Sequence, residues 1–181
     1  MEHLCSGIIE DTKAKTLSYY LTANPVIKLG REVVEALKAE ALKRGGVNAR
    51  ISLHGGPLSN FHQMLIVQHA GLYYPPHKHS FEKAESCQIL EGRVAAFTFD
   101  SDGSVLDCTV LVPGELLLWR VGPNRWHTVV PLTPQVVYLE SKPGPFEGAA
   151  DSQYPDWAPK AGEPGGLAYQ AKLVEGIAQP A

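Results

Sequence analysis

Cysteine is scarce in this chain: there are three, Cys5, Cys87 and Cys108, at wide spacing and with no CxxC pair. An odd number so placed builds no disulfide scaffold and fits a reducing compartment, so the expected location is the cytoplasm. Long apolar runs are also missing. Nowhere do about 18 apolar residues follow one another, the length a membrane-spanning helix needs. Glu2, Glu10, Asp11, Lys13 and Lys15 interrupt the first thirty residues and leave no unbroken apolar stretch for export. Positive charge is not in excess, with 16 Lys+Arg against 19 Asp+Glu and a formal charge of −3. Without a basic stripe to displace counterions, a nucleic-acid partner is excluded. No repeat of roughly 20 to 50 residues is visible, which excludes solenoids and propellers. What remains is a chain of 181 residues, 44% hydrophobic and 19% charged, the composition of a globular protein. One core in a chain of this size buries roughly 70% of the unfolded surface and needs no disulfide.

Hydrophobic periodicity divides the chain into three zones. In REVVEALKAEALKR, residues 31–44, Val33, Val34, Leu37 and Ala41 form one stripe and Gly45-Gly46 follows as a stop, so a single amphipathic helix is expected in an N-terminal helical segment, 1–46. From 47 to 142 the runs FHQMLIVQH, RVAAFTF, VLDCTVLV, ELLLWRV, RWHTVV and QVVYLES read as strands, separated by Gly, Pro and Asp turn signals. That spacing predicts an antiparallel sandwich or barrel and not βαβ units. Residues 143–181 hold six prolines and six glycines, a composition of irregular chain. Phe146, Tyr154, Trp157 and Tyr169 are too large to leave in solvent, so the first half, through Trp157-Ala158-Pro159, is expected to lie on the barrel and the rest to be loose.

The chemistry is concentrated in GLYYPPHKHSFEKAESCQILEG, residues 71–92. On a strand, residues two apart share a face about 6 to 7 Å apart, so His77 and His79 can converge on one centre. A turn after His79 would bring Glu85, at the head of the next strand, alongside; Glu82 is the alternative carboxylate. His127, after Pro123-Asn124-Arg125-Trp126, can supply a third imidazole from a neighbouring strand. Each imidazole must come within about 2.1 Å of a divalent ion, and this separation permits it. Cys87, two beyond Glu85, is expected to pack as a small hydrophobe and not to ligate. His62 and His69 lie seven apart and so on opposite faces of one strand.

The spacing G-x5-H-x-H-x5-E-x6-G resembles the first cupin motif, and Pro113-Gly114-Glu115 with PNRWH resembles the second. The flanking NARISLH (48–54), DSDGSV (100–105), PNRWHTVV (123–130), LESKPGPF (139–146) and DWAPKAGE (156–163) resemble the WbuC family of cupin-fold metalloproteins, over roughly residues 30 to 163. The resemblance implies a mainly β, single-domain cupin, a double-stranded β-helix or jelly-roll barrel, with an N-terminal α-helix. It also implies one divalent metal ion, Fe, Mn, Ni, Co or Zn, on His77, His79, Glu85 and His127. Three nitrogens and a carboxylate leave open coordination positions, which a substrate oxygen or dioxygen can take. Glu140 and Lys142, two apart on the last strand, are the candidate acid or base, and Arg50, His54 and Tyr73 the candidate substrate contacts. The expected function is a metal-dependent enzyme on a small polar, sugar-like metabolite, of isomerase/epimerase or dioxygenase type. The alternative is a non-catalytic module that binds or senses a small ligand. A homodimer is a further expectation.

Overall fold

The computed structural model describes residues 8–14, 16–21, 26–80 and 82–177. Cys5 and the last residues of the Pro/Gly-rich segment lie outside the described residues. The elements are β1 (Ile8–Glu10), β2 (Leu17–Leu21), α1 (Arg31–Lys43), β3 (Ala49–Ser52), β4 (Phe61–His69), β5 (Glu85–Glu91) and β6 (Val94–Phe99). They continue as β7 (Val105–Leu111), β8 (Leu118–Val121), β9 (Trp126–Pro131), β10 (Gln135–Pro143), a 3-10 turn (Gly148–Ala150) and α2 (Gly166–Glu175). Two sheets result, one in the order β1-β2-β3-β4-β10-β5-β8 and the other β7-β6-β9. Among the described residues no helix is long and apolar enough to cross a membrane.

The chain is mainly β, as the period-two runs predict, but among the described residues no helix stands at the N-terminus. The helix read from the apolar stripe occupies Arg31–Lys43, and two strands precede it. LSYYL carries little strand signal, being short and placing Ser beside two aromatics. Those strands also bring a parallel connection: β2 pairs with β3 in parallel, with α1 as the crossover, so one βαβ unit stands in an otherwise antiparallel molecule. The helix stops where Gly45 and Gly46 adopt positive φ, and the Gly46 N–H closes on the Ala41 carbonyl at 3.0 Å.

Alternation along the strands produces four layers. One face of the large sheet, with Ile51, Leu65, Val67 and Val137, packs against Val33, Leu37 and Ala41 of α1. Its other face meets the small sheet, where Ile89, Val136 and Tyr138 pack against Val94, Ala96 and Val129. The outer face of the small sheet, Ala95, Phe97, Phe99 and Val130, is covered by Trp157 and by Leu173, Val174 and Ile177. The stretch expected to be loose is therefore partly helical. Between Gly166 and Gly176 there is no glycine or proline, and Gln170, Leu173, Val174 and Ile177 recur at helical spacing.

Two of the flanking motifs explain each other. A side chain at Gly103 would stand 2.7 Å from the Trp157 indole, so the Asp-Gly turn before β7 leaves room for the ring. Trp157 then reaches Phe99 at 5.2 Å and Trp126 at 6.1 Å between centroids.

Candidate metal centre

His77, His79, Glu85 and His127 are all buried and offer one ligand atom each, all within 4.8 Å of one another. Two ligands about 2.1 Å from one ion on opposite sides would be about 4.2 Å apart, so the cluster is near the spread an ion requires. The strands impose the arrangement. His77 and His127 exchange backbone hydrogen bonds at 2.9 and 2.8 Å, and Lys78 does the same with Gln153 at 3.0 and 2.9 Å. The segment 77–79 is thus clamped between β9 and the C-terminal chain. His77 and His79 turn to one side, while Lys78 turns to the other and caps the Trp126 ring at 4.6 Å. Glu85 opens β5 opposite Val121, on the same inward face as Cys87 and Ile89.

The imidazoles are held in the tautomer a ligand needs. His77 Nδ1 lies 3.3 Å from the Pro75 carbonyl, His79 Nδ1 2.7 Å from that of Asp151, and His127 Nδ1 2.8 Å from that of Arg125. A carbonyl oxygen only accepts, so each Nδ1–H donates and each Nε2 is left free to bind a cation. His79 Nε2 stands 2.9 Å from Glu85 Oε2 and His127 Nε2 3.7 Å from Oε1, while His127 Nε2 is buried with no hydrogen-bond partner. Lone pairs of nitrogen and carboxylate facing one another at this range require a shared proton or a metal ion. The donor set therefore fits a divalent metal. Without one, burial and the neighbouring His127 keep His77 well below the usual histidine range. Burial opposes ionisation of Glu85, but the nearby imidazoles of His127 and His79 outweigh it and hold the carboxyl well below the carboxylate range. His127 is lowered by burial yet raised on balance by Glu85.

Glu85 is the carboxylate of the cluster, and Glu82 is exposed. Five residues between the second histidine and Glu85 are accommodated by the turn over 80–84, closed by the Lys83 N–H on the Ser80 carbonyl at 3.1 Å. Cys87 is buried in the apolar cluster beside Glu85, outside the set of donors.

The other expected site residues separate. Glu140 and Lys142 share the inward face of β10, opposite Met64 and His62 of β4, with Lys142 Nζ 3.9 Å from Glu140 Oε1. Burial, and then the charge of Glu85, push the Glu140 carboxyl up to about 7, with Lys142 resisting. Arg50, opposite Ile66, faces the same side, and its Nε donates to Ser18 Oγ at 3.0 Å. His54 is stacked on His62 at 4.0 Å and hydrogen-bonded to the Gln63 backbone, so its ring is committed there. Tyr73 lies over Gly166 and donates to the Pro159 carbonyl at 2.8 Å. Neighbours in an extended chain point opposite ways, and it is Tyr74 that meets His77, at 5.1 Å between rings.

Sequence reasoning missed Lys83 and Asp151. The Asp151 carboxylate, 3% exposed, binds Lys83 Nζ at 2.6 Å and Lys142 Nζ at 3.1 Å, while its carbonyl holds His79. Lys83 also reaches the Pro145 carbonyl at 2.6 Å and Glu147 at 2.9 Å. Both residues sit in turns with no periodic pattern, so no local signal marks them.

The comparisons with known proteins agree with this architecture. Residues 29–111 match a family model described as Domain of unknown function (DUF6016). No curated protein matches the chain. Among solved structures, the capsular polysaccharide assembling protein CapF from Staphylococcus aureus aligns with a TM-score of 0.50 at 12% identity, over 59% of this chain and 31% of that one. Oxalate decarboxylase from Bacillus subtilis aligns with a TM-score of 0.47 at 15% identity, over 60% of this chain and 27% of that one. A cupin 2 domain-containing protein from Halorhodospira halophila gives 0.46 at 15% identity, over 74% of this chain and 85% of that one. These neighbours are cupin-fold proteins, and at such identities the likeness is one of fold. The chain spans less than a third of the length of the CapF and oxalate decarboxylase chains it matches. The chain is thus a mainly β protein of two sheets, like the aligned part of CapF in fold, with a buried cluster of three histidines and one glutamate suited to a metal ion.

Proposed function

We propose that this chain is a metal-dependent enzyme acting on a small polar metabolite, with His77, His79, Glu85 and His127 holding one divalent ion and Glu140 moving a proton beside it. The observation that carries the reading is the position of Glu140: an ionisable carboxyl on the inward face of β10, next to the ligand set and flanked by Lys142. An ion there would supply Lewis-acid polarisation of a substrate carbonyl or hydroxyl. The protein's own residues do the rest. Glu140, partly buried and with its carboxyl pushed up to about 7, is suited to accept a proton and return it. Lys142 stands ready to balance the charge that develops. Tyr74 and Tyr154, at 5.1 and 6.3 Å from the His77 ring, wall the approach to the imidazoles.

An isomerisation or epimerisation suits this set better than oxygen chemistry, because Glu140, Lys142 and Arg50 make the wall polar. The motif resemblance to the WbuC family leans the same way by analogy alone. Exposed Val105, Leu106, Leu116, Leu117 and Leu118 on and beside the edge strands β7 and β8 support pairing of two copies.

The test is Glu140→Gln in metal-replete protein, assayed on sugar and hydroxy-acid substrates. Loss of turnover with metal content unchanged is expected. Ligand-dependent stabilisation with no turnover from wild type would instead make the protein a binding module.

A further inference from the structure

Arg50 is a polar side chain on the inward face of the seven-stranded sheet to which the proton-transfer reading gives no step. It lies partly buried inside the seven-stranded sheet, not on an edge, and shares the inward face with Ile66 and Tyr138 across β4 and β10. Glu140 is one step further along that face, since Ser52, Met64 and Glu140 form the next cross-strand row. Two strand spacings of about 4.8 Å and one step of about 6.8 Å separate the two backbones, a gap that an arginine side chain spans in large part. The charge of Arg50 is accordingly felt by Glu140, Tyr74 and His54.

What Arg50 lacks is an acid. Among the described residues no carboxylate lies within ion-pair distance of it, whereas Lys38, Arg44, Lys83 and Lys142 each have at least one. Its single hydrogen bond uses Nε, to Ser18 Oγ, which fixes the guanidinium and leaves both terminal amino groups uncommitted. A half-desolvated fork with two free N–H pairs matches the two oxygens of a carboxylate. Glu85 and Glu140 face the same space, where a dianionic phosphate would meet more repulsion than a monoanionic carboxylate does.

We infer that Arg50 receives a carboxylate of the substrate, so that the cavity takes a small organic acid, a sugar acid or hydroxy acid, with its oxygenated carbon directed toward the four-residue cluster. This rests on the reading of that cluster as a metal site and narrows its substrate to anions.

The probes are glycolate and its neutral isostere glycolamide, titrated by calorimetry into metal-loaded wild type, Arg50→Gln and Arg50→Lys, with metal content measured in each. Glycolate is expected to bind wild type at least about tenfold more tightly than glycolamide. Arg50→Gln should remove that advantage with metal content unchanged, and Arg50→Lys should keep part of it. Glycolate binding equally well to Arg50→Gln would mean that the carboxylate sits on the ion alone and would overturn the assignment. So would equal binding of the two probes to wild type, or binding of neither. Failure of the enzymatic reading looks different, since metal-replete protein would then discriminate between the probes yet turn over nothing.

Discussion

The space between the two sheets has two ends built on the same strands with opposite chemistry. Along the inward face of β5 the order is Ile89, Cys87, Glu85; along β10 it is Val136, Tyr138, Glu140, Lys142; along β9, Val129 and then His127. Each strand is apolar at one end and ionisable at the other, without changing face. The period of two decides which residues look inward and is blind to which end is the site. The apolar end supplies burial, at roughly 25 cal/mol per Å² of apolar surface. The other end gathers groups that burial penalises, and these persist only where each has a partner or an ion. Changes at one end should therefore cost stability and spare the metal, and changes at the other should do the reverse.

The largest departure from that division is expected at Asp151, which belongs to both. Asp151→Ala takes their shared acid from the buried Lys83 and the partly buried Lys142, leaving only Glu147 and Glu140 as partners, at a cost of about 3 kcal/mol in denaturant unfolding. The carboxylate's bonds to Lys83 and Lys142 fix the turn whose main-chain carbonyl, kept in the alanine variant, orients His79, so metal affinity should also fall, by about 10-fold, in a competition titration. Unchanged metal affinity would separate the ion-pair network from the centre. At the apolar end, Ile89→Ala should cost about 2–5 kcal/mol while the metal per chain stays at the wild-type value. Loss of metal there would show that the two ends are not independent.

Smaller still is the pH response of the stacked His54–His62 pair. Burial lowers the pKa of both, and Lys142 repels the charged forms; Arg50 adds to this at His54, while Asp151 partly offsets it at His62. A histidine with a depressed folded pKa takes up fewer protons than the unfolded chain. Its contribution is therefore fully present above the unfolded value, near 6.5, and fades as pH falls through that value toward the folded one. His54→Gln should flatten the loss of stability below about pH 6.5. An identical pH profile in the variant would remove this pair from the account.

How much of this was legible in the sequence follows from the same division. Period two exposes β4, β6, β9 and β10, and the i,i+2 histidines give a shared face; spacing leaves Glu82 open beside Glu85, and it is the motif resemblance that joins His77, His79, Glu85 and His127 into one set. The fold's beginning was not legible: β1 and β2 are short, and the parallel β2–β3 pairing depends on contacts across the chain. Tyr73 and Tyr74 cannot be ranked by sequence, since adjacent residues alternate and phase is set by the Pro75-Pro76 segment and the clamp at His77. Asp151 holds His79 through its carbonyl, and a backbone atom leaves no trace in residue type, while its carboxylate meets lysines distant in sequence.

Metal content measures the central claim most directly. Protein purified without chelator or added metal, and then supplied in turn with Fe, Mn, Ni, Co and Zn, should hold close to one divalent ion per chain by elemental analysis. His77→Ala and His127→Ala should hold almost none while unfolding cooperatively like wild type. Wild type that takes up no ion, or a His127→Ala variant that takes up as much as wild type, would contradict the metal centre.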